Sequence, residues 1–72
     1  MNNIEALIAD GGEITIGSVG SVECAATAAD EHNLLATLIR RENETVIDLL
    51  GRLDTAIGLA MDGGNIIDEI NG

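Results

Sequence analysis

The clearest pattern in the chain is a helical repeat of apolar positions between Thr45 and Met61. Apolar side chains recur there every three or four residues, at Val46, Leu49, Leu50, Leu53, Ala56, Ile57, Ala60 and Met61. Thr45 and Asp48 have the spacing of a capping box, in which a hydroxyl accepts from the amide three residues later. Gly63-Gly64 follows the repeat. We therefore predict a capped helix that ends at these glycines.

The N-terminal segment carries a shorter helical pattern. Ile4, Leu7 and Ile8 recur at helical spacing behind Asn3, which is a candidate N-cap. Gly11-Gly12 follows and is typical of a helix stop. The pattern predicts a short N-terminal helix.

Between residues 13 and 41 the pattern changes to one that favours strands. Ile14 and Ile16 alternate with polar residues, and residues 17–21 then indicate a turn. A second extended run covers residues 22–29, and after a polar break the apolar run of residues 34–41 has the character of a hairpin's return strand. One alternative stays open because Ala and Leu also favour helix: the stretch from Ala25 to Ile39 can instead be a single helix.

These elements predict an α+β fold in one small acidic domain, residues 1–72. In it a small antiparallel β-hairpin or three-stranded meander packs on one main α-helix, with a short N-terminal helix. The tail of residues 65–70 can add an edge strand or a short turn against the sheet, with either Ile66 and Ile70 or Ile67 as its apolar anchors.

The core of such a domain is short of bulk. The chain has no Phe, Tyr or Trp, and a domain below about 80 residues rarely gains more than roughly 3–5 kcal/mol from its own core. A second copy would cover apolar surface that one copy cannot, so we expect a homo-oligomer. The candidate oligomer interface consists of Leu49, Leu53 and Ile57 on the main helix.

Charge is the strongest clue to function. Thirteen acidic residues face three Arg, and the net charge is -10 at pH 7. A field of this sign attracts basic protein surfaces and opposes binding to phosphate backbones or anionic lipid. We therefore expect a protein partner with a basic surface, no direct binding of nucleic acid and no membrane association. The acids expected to contact that partner are Glu23, Asp30, Glu31, Glu42, Glu44, Asp48, Asp54 and Asp62. For each of them, a purely solubilising role remains the alternative.

The Arg residues have acids close to them in the sequence. Arg40-Arg41 is expected to close the return strand and to pair with Glu42 and Glu44, or with a carboxylate of a neighbouring subunit. Asp48 stands four residues before Arg52, a spacing that allows an ion pair on an exposed helix face.

No set of residues has the types and spacing that catalysis requires. His32 and Cys24 fall short of the four ligands of a structural zinc site, no nucleophile elbow accompanies the histidine, and the glycines lack the Lys and Thr of a phosphate loop. We expect no enzyme activity, no metal and no cofactor. We expect the protein in the cytoplasm. Its single cysteine cannot form an internal disulfide, its N-terminus lacks the basic start of a secretory signal, and it has no run of roughly 18–20 apolar residues.

Several short motifs resemble small uncharacterised proteins of bacterial genomes and prophages. They are Ala29-Asp30-Glu31-His32-Asn33, Leu38-Ile39-Arg40-Arg41, Glu44-Thr45, Leu49-Leu50-Gly51-Arg52-Leu53-Asp54, Ala56-Ile57 and Asp68-Glu69-Ile70-Asn71. The resemblance implies kinship and supplies no catalytic residues. The order of two strands and a helix opened by Glu-Thr is also similar to the half-RNase H-like module of HicB-type antitoxins, without that module's aromatic and proline-rich strand.

Two functional hypotheses follow. The first is a phage or mobile-element protein that binds a host nucleic-acid-handling protein, as an anti-CRISPR does, by presenting carboxylates where phosphates would lie. The second is a structural or antitoxin-like oligomerisation module, in which the main helix packs across a dimer interface.

Overall fold

A computed structural model of the protein describes residues 1–71. Its elements are α1 (Asn2–Ala9), β1 (Glu13–Val19), β2 (Val22–Ala29), β3 (Leu34–Ile39), α2 (Val46–Gly63) and β4 (Ile67–Asp68). The four strands form one sheet in the order β1-β2-β3-β4. Both helices contribute side chains to one core on one face of this sheet. The predicted α+β class, with a short N-terminal helix and one main helix, is confirmed.

Strands β1, β2 and β3 form an antiparallel meander. Thr15 pairs with Thr27, and Thr27 pairs with Thr37, so β-branched side chains continue in one row across three strands. Between β2 and β3 an Asp30 carboxylate oxygen accepts from the amides of His32 at 2.8 Å and Asn33 at 2.6 Å. These bonds form an Asx turn, which reverses the chain. Because the Asp30 side chain accepts from these amides, they are not available for the hydrogen bonds of a helix through this segment. The hairpin prediction is confirmed, and the alternative of one helix over residues 25–39 is wrong.

The turn between β1 and β2 is shorter than the predicted segment of residues 17–21. Strand β1 continues to Val19, and only Gly20 and Ser21 form the turn. Gly17 stays in the strand with φ of 147°, where the pairing register with β2 shifts. A glycine there permits a bulge in place of a turn.

Helix α2 begins and ends as the sequence predicts. The Thr45 hydroxyl accepts from the Asp48 amide at 3.1 Å, and the Asp48 carboxylate accepts from the Thr45 amide at 3.4 Å. Gly64 ends the helix in the left-handed region, at φ of 69°, where a residue without a Cβ is favoured.

Helix α1 forms where predicted, but its predicted N-cap is wrong. Asn3 lies inside the helix, and Met1 precedes it without a side-chain cap. The Asn3 side chain instead donates to the backbone carbonyl of Asp54 at 3.1 Å. A Cβ on Gly58 would lie 2.7 Å from the Asn3 amide nitrogen. The absence of a side chain at Gly58 therefore lets the two helices approach closely.

Strand β4 confirms that the tail adds an edge strand. It lies parallel to β3, with Ile67 opposite Ala36 and Asp68 opposite Thr37. Helix α2 connects these two parallel strands, so it runs back along the sheet from the end of β3 to the beginning of β4. This topology assigns every loop to one of two ends of the sheet.

The core is built mainly from α2 and the small residues of the sheet. Leu49, Leu53 and Ile57 are its largest fully buried side chains, each 0% exposed. Half of the buried apolar residues of the described chain are alanines, namely Ala25, Ala26, Ala28, Ala36, Ala56 and Ala60. The prediction that Leu49, Leu53 and Ile57 form an oligomer interface therefore needs correction. They pack inside their own chain, because this amphipathic stripe of α2 covers one face of the sheet.

Candidate interaction surfaces

The two ends of the sheet differ in charge. At the end where β3 finishes and α2 begins lie all three Arg: Arg40 and Arg41 follow β3, and Arg52 donates to the backbone carbonyl of Ile39 at 2.8 Å. We call this the arginine end. At the opposite end α1 and α2 finish, β1 begins and the β2–β3 turn lies.

Arg52 is the centre of the arginine end. Its guanidinium donates to the Glu44 carboxylate at 2.7 and 2.9 Å, in the bidentate arrangement, and to the Glu69 carboxylate at 3.1 Å. Glu69 also accepts from the Ile39 amide at 2.8 Å. One side chain of α2 thus joins β3, the loop before α2 and the C-terminal tail, and fixed two-pronged bonds of this kind are specific to Arg.

The Arg52 hydrogen bonds and a further bond from the Arg41 backbone amide lower the pKa of Glu44 to about 2. Contact with Glu44, the largest effect, and with Glu69 raises the pKa of Arg52. The Glu44 side chain is only 9% exposed. Glu44 is therefore ionised, neutralised by its neighbour and covered, so it is not a free carboxylate for a partner.

Two predictions about the Arg residues need correction. Asp48 does not pair with Arg52, because the capping box holds its carboxylate at the Thr45 amide. Arg40 and Arg41 form no ion pair with an acid of the described chain; Arg40 donates to the backbone carbonyl of Glu44 at 2.7 Å. The Glu44 carboxylate, which was expected to pair with Arg40 and Arg41, pairs with the guanidinium of Arg52 instead.

Asp54 also has a structural role. Its carboxylate accepts from the Ile4 amide at 2.9 Å and from the Asn3 side chain at 3.3 Å. The amides at a helix N-terminus lack partners within the helix, and a negative group suits that end of the helix dipole. Asp54 therefore caps α1 from α2 and is half-buried between the helices.

The opposite end carries carboxylates and no Arg. Gly12 lies against β2, since a Cβ on it would be 2.8 Å from the Ala29 carbonyl, and a Cβ on Gly11 would be 3.4 Å from a Glu31 carboxylate oxygen. The end of α1 and the β2–β3 turn are thus neighbours. The acids at this end, which we call the acidic end, are Asp10, Glu13, Asp30, Glu31 and Asp62.

Four of these five carboxylates form no hydrogen bond or ion pair within residues 1–71. Asp30 accepts in its own turn, and these bonds, first that from the His32 amide and then that from Asn33, lower its pKa. The other four side chains are exposed and make no hydrogen bond or ion pair with residues 1–71. Their charges face solvent, with every guanidinium of the chain at the far end of the sheet.

The eight predicted partner-binding acids therefore divide in two. Asp30, Glu44, Asp48 and Asp54 hold the fold together. Glu23, Glu31, Glu42 and Asp62 are exposed without a hydrogen-bonded partner, and the structure brings Glu31 and Asp62 to the acidic end. The sequence reasoning missed Asp10 and Glu13 as members of this group. Their position on either side of Gly11-Gly12, a predicted helix stop, was the signal that they lie together.

A shallow cleft of about 480 Å³ lies at the arginine end, between the start of β2 and the loop after β3. Glu23, Glu42, Arg40 and Arg41 line it together with Cys24. Both signs of charge meet there, so this cleft has less preference for a basic partner than the acidic end. Within residues 1–71 no three His, Cys, Asp or Glu side chains are placed to hold a metal ion together.

No protein-family model, curated protein or solved structure matches this chain. Across the part of the chain that the structure describes, no helix is both long and apolar enough to cross a membrane.

Proposed function

We propose that this protein is a non-enzymatic interaction protein that acts in the cytoplasm and binds the basic surface of a nucleic-acid-handling protein through its acidic end. The observation that carries the proposal is the separation of the cations from one group of acids: all three Arg lie at one end of the sheet, and five carboxylates lie at the other end without Arg.

This separation matters because it leaves the acidic end without internal compensation. Carboxylates that already bind Arg offer little further attraction, whereas exposed carboxylates of one sign steer a basic partner towards their own end. Surfaces that bind DNA or RNA expose Lys and Arg to receive phosphate oxygens. Exposed carboxylate oxygens can bond the same side chains. In its most specific form, which the resemblance to prophage proteins supports, the partner is a host protein and the binding is inhibitory, as with an anti-CRISPR.

The test compares two variants of equal charge. The first neutralises the acidic end, with Asp10→Asn, Glu13→Gln and Glu31→Gln. The second neutralises exposed acids elsewhere, with Glu5→Gln, Glu23→Gln and Glu42→Gln. Both change the net charge by three, and Asp30 is left intact because it holds its turn. Neither variant is expected to change the free energy of unfolding by more than about 0.5 kcal/mol, since exposed sites without contacts tolerate substitution.

Tagged protein is used to capture partners from nuclease-treated bacterial lysate, and a purified partner is then titrated with each variant and with duplex DNA as competitor. We expect the acidic-end variant to bind at least tenfold more weakly than the control variant, and bound wild-type protein to release DNA from the partner. Binding should also weaken as salt rises, because exposed opposite charges are screened. Equal affinity of the two variants would contradict the proposed site.

The second hypothesis, oligomerisation through the apolar stripe of α2, is not favoured. Leu49, Leu53 and Ile57 would have to leave their own core to reach a second copy.

A further inference from the structure

Strand β1 is an edge of the sheet. It pairs with β2 on one side only, and its other side meets no strand along seven residues, Glu13–Val19. An edge of this kind presents unpaired backbone N–H and C=O groups, and proteins commonly protect such edges with Lys, Pro or inward-pointing charges. The only charged residue in β1 is Glu13, at its start, and it contains no Pro. The strand therefore lacks most devices that prevent pairing with another chain.

The residues of β1 are complementary to themselves. When a second copy pairs antiparallel to it with the two-fold axis at Thr15, Ile14 lies opposite Ile16 of the second copy, and Glu13 lies opposite Gly17 of the second copy. The backbone from Glu13 to Gly17 pairs regularly with β2, and the register shift comes only after it. No like charges are opposed in this register, and each apolar side chain meets an apolar one.

Both faces of the sheet gain from this register. Ile14 lies on the face that carries the helices and packs against the core, while Ile16 on the same face is 38% exposed. Pairing covers this exposed isoleucine. On the other face the row of Thr15, Thr27 and Thr37 continues into the same row of the second copy.

The charge of the chain sets the conditions under which this contact forms. Two copies of net charge -10 repel each other, but the two Glu13 residues would be four residues apart along the strands, about 13 Å. That distance exceeds the Debye length of about 8 Å at physiological ionic strength. The repulsion between the two copies therefore comes from many distant charges. Added salt screens it, so salt strengthens the dimer contact. Binding of a basic partner at the acidic end has the opposite salt dependence.

We propose that β1 is a homodimerisation edge, and that two copies join their sheets into one eight-stranded sheet by antiparallel pairing centred on Thr15. Dimerisation is favourable because the small, alanine-rich core of one copy buries little apolar surface. Burial of the edge backbone and of isoleucine surface between two copies adds stability. The proposal stands independently of the acidic-end function, because the two contacts share only Glu13 and have opposite salt dependence.

Sedimentation equilibrium at roughly 0.05 and 0.5 M sodium chloride is the first measurement, and we expect the dimer fraction to rise with salt. Thr15→Lys places two ammonium groups opposite each other at the axis, and it should weaken dimerisation at least tenfold. Thr55→Lys changes an exposed threonine of α2 by the same charge and should leave the dimer intact. Circular dichroism confirms that both variants fold.

A cysteine at the axis tests the register itself. In a Cys24→Ala background, Thr15→Cys should give a disulfide-linked dimer on mild oxidation. Directly opposed Cβ atoms lie about 4.5–5.5 Å apart, and a small shift of an edge strand brings them to the roughly 3.5–4.5 Å of a disulfide. Thr27→Cys lies one strand away from the axis and should not cross-link. A monomer at both salt concentrations, a dimer that survives Thr15→Lys, or equal cross-linking of the two cysteines would overturn the proposal. None of these results would change the expected binding of a basic partner by the acidic end.

Discussion

The arginine end and the acidic end are held together by different interactions. At the arginine end, Arg52 bonds two carboxylates and a carbonyl from three segments. At the acidic end, the contacts are a backbone turn around Asp30 and the close approach of Gly12 to β2. The comparison teaches that a carboxylate becomes structural where a fixed donor meets it: the Arg52 guanidinium meets Glu44 and Glu69, and backbone amides meet Asp30. The other four carboxylates of the acidic end have no such donor within residues 1–71 and remain free for a partner.

Removal of the central cation is expected to have the largest effect. Arg52→Met keeps the aliphatic stem and removes all four hydrogen bonds. Bonds to charged groups contribute about 1.5–3 kcal/mol each when shielded, and partial exposure of this guanidinium reduces the total. We expect the free energy of unfolding to fall by about 2–3 kcal/mol in urea denaturation. Arg41→Met, which removes a guanidinium without an ion pair in the described chain, is the control and should change little. Equal losses in the two variants would show that Arg52 does not organise its end.

A substitution at the acidic end is expected to act through packing instead of charge. In Gly12→Ala, the new Cβ would lie 2.5 Å from the Leu7 side chain and 2.8 Å from the Ala29 carbonyl. Leu7 is buried and cannot move aside freely. We therefore expect the free energy of unfolding to fall by about 1–2 kcal/mol, and we expect salt not to alter this change.

The control for this prediction is Gly51→Ala. A Cβ at Gly51 meets no atom within 4 Å. Because alanine favours helix more than glycine does, this substitution should raise the free energy of unfolding by about 0.5–1 kcal/mol. Thermal or urea unfolding at two salt concentrations checks both variants. A stabilising Gly12→Ala would mean that α1 and β2 are not in close contact.

Acid should weaken the arginine end over a defined pH range. Because the folded-state pKa of Glu44 is about 2, against an ordinary value of 4.5, its stabilising contribution is complete above about pH 4.5. It is lost as the pH falls from about 4.5 towards about 2. We expect Glu44→Gln to lower stability at neutral pH and to flatten the decline of stability in this range.

The flattening in Glu44→Gln should be partial. The pKa of Asp68 is also lowered, first by the Thr37 hydroxyl and then by backbone amides of the tail, so a second carboxylate loses its contribution in acid. Urea midpoints measured at several pH values test this expectation. An unchanged slope in Glu44→Gln would mean that the Arg52 contact does not perturb this carboxyl group in solution.

Most of the fold follows from local patterns in the sequence, and the errors about side-chain roles come from partners that those patterns do not reveal. The capping box of Thr45 and the bounds of β2 depend on residues close together in the chain, and both were predicted correctly. The expected pairing of Asp48 with Arg52 was wrong because the capping box holds the Asp48 carboxylate, while Glu44 and Glu69 occupy the guanidinium. The assignment of Asn3 as N-cap was wrong because its partner lies 51 residues away. Alternation and spacing carry no information about such distant partners.

The same limit applied to the candidate site. Asp10 and Glu13 join Glu31 only once β1 and β2 pair, so their common location is a property of the sheet. The burial of Leu49 and Leu53 follows from the packing of the α2 stripe on one face of the sheet.

The cap of α1 has a consequence for the order in which the chain becomes structured during synthesis. The carboxylate that accepts from the Ile4 amide belongs to a residue 50 positions later. At a ribosomal rate of about 5–20 residues per second, that residue follows roughly 3–10 seconds after α1. Until then the Ile4 amide lacks this acceptor, and a helix of eight residues is marginal alone. Helix α1 is therefore made before α2 and ordered when α2 arrives to receive it.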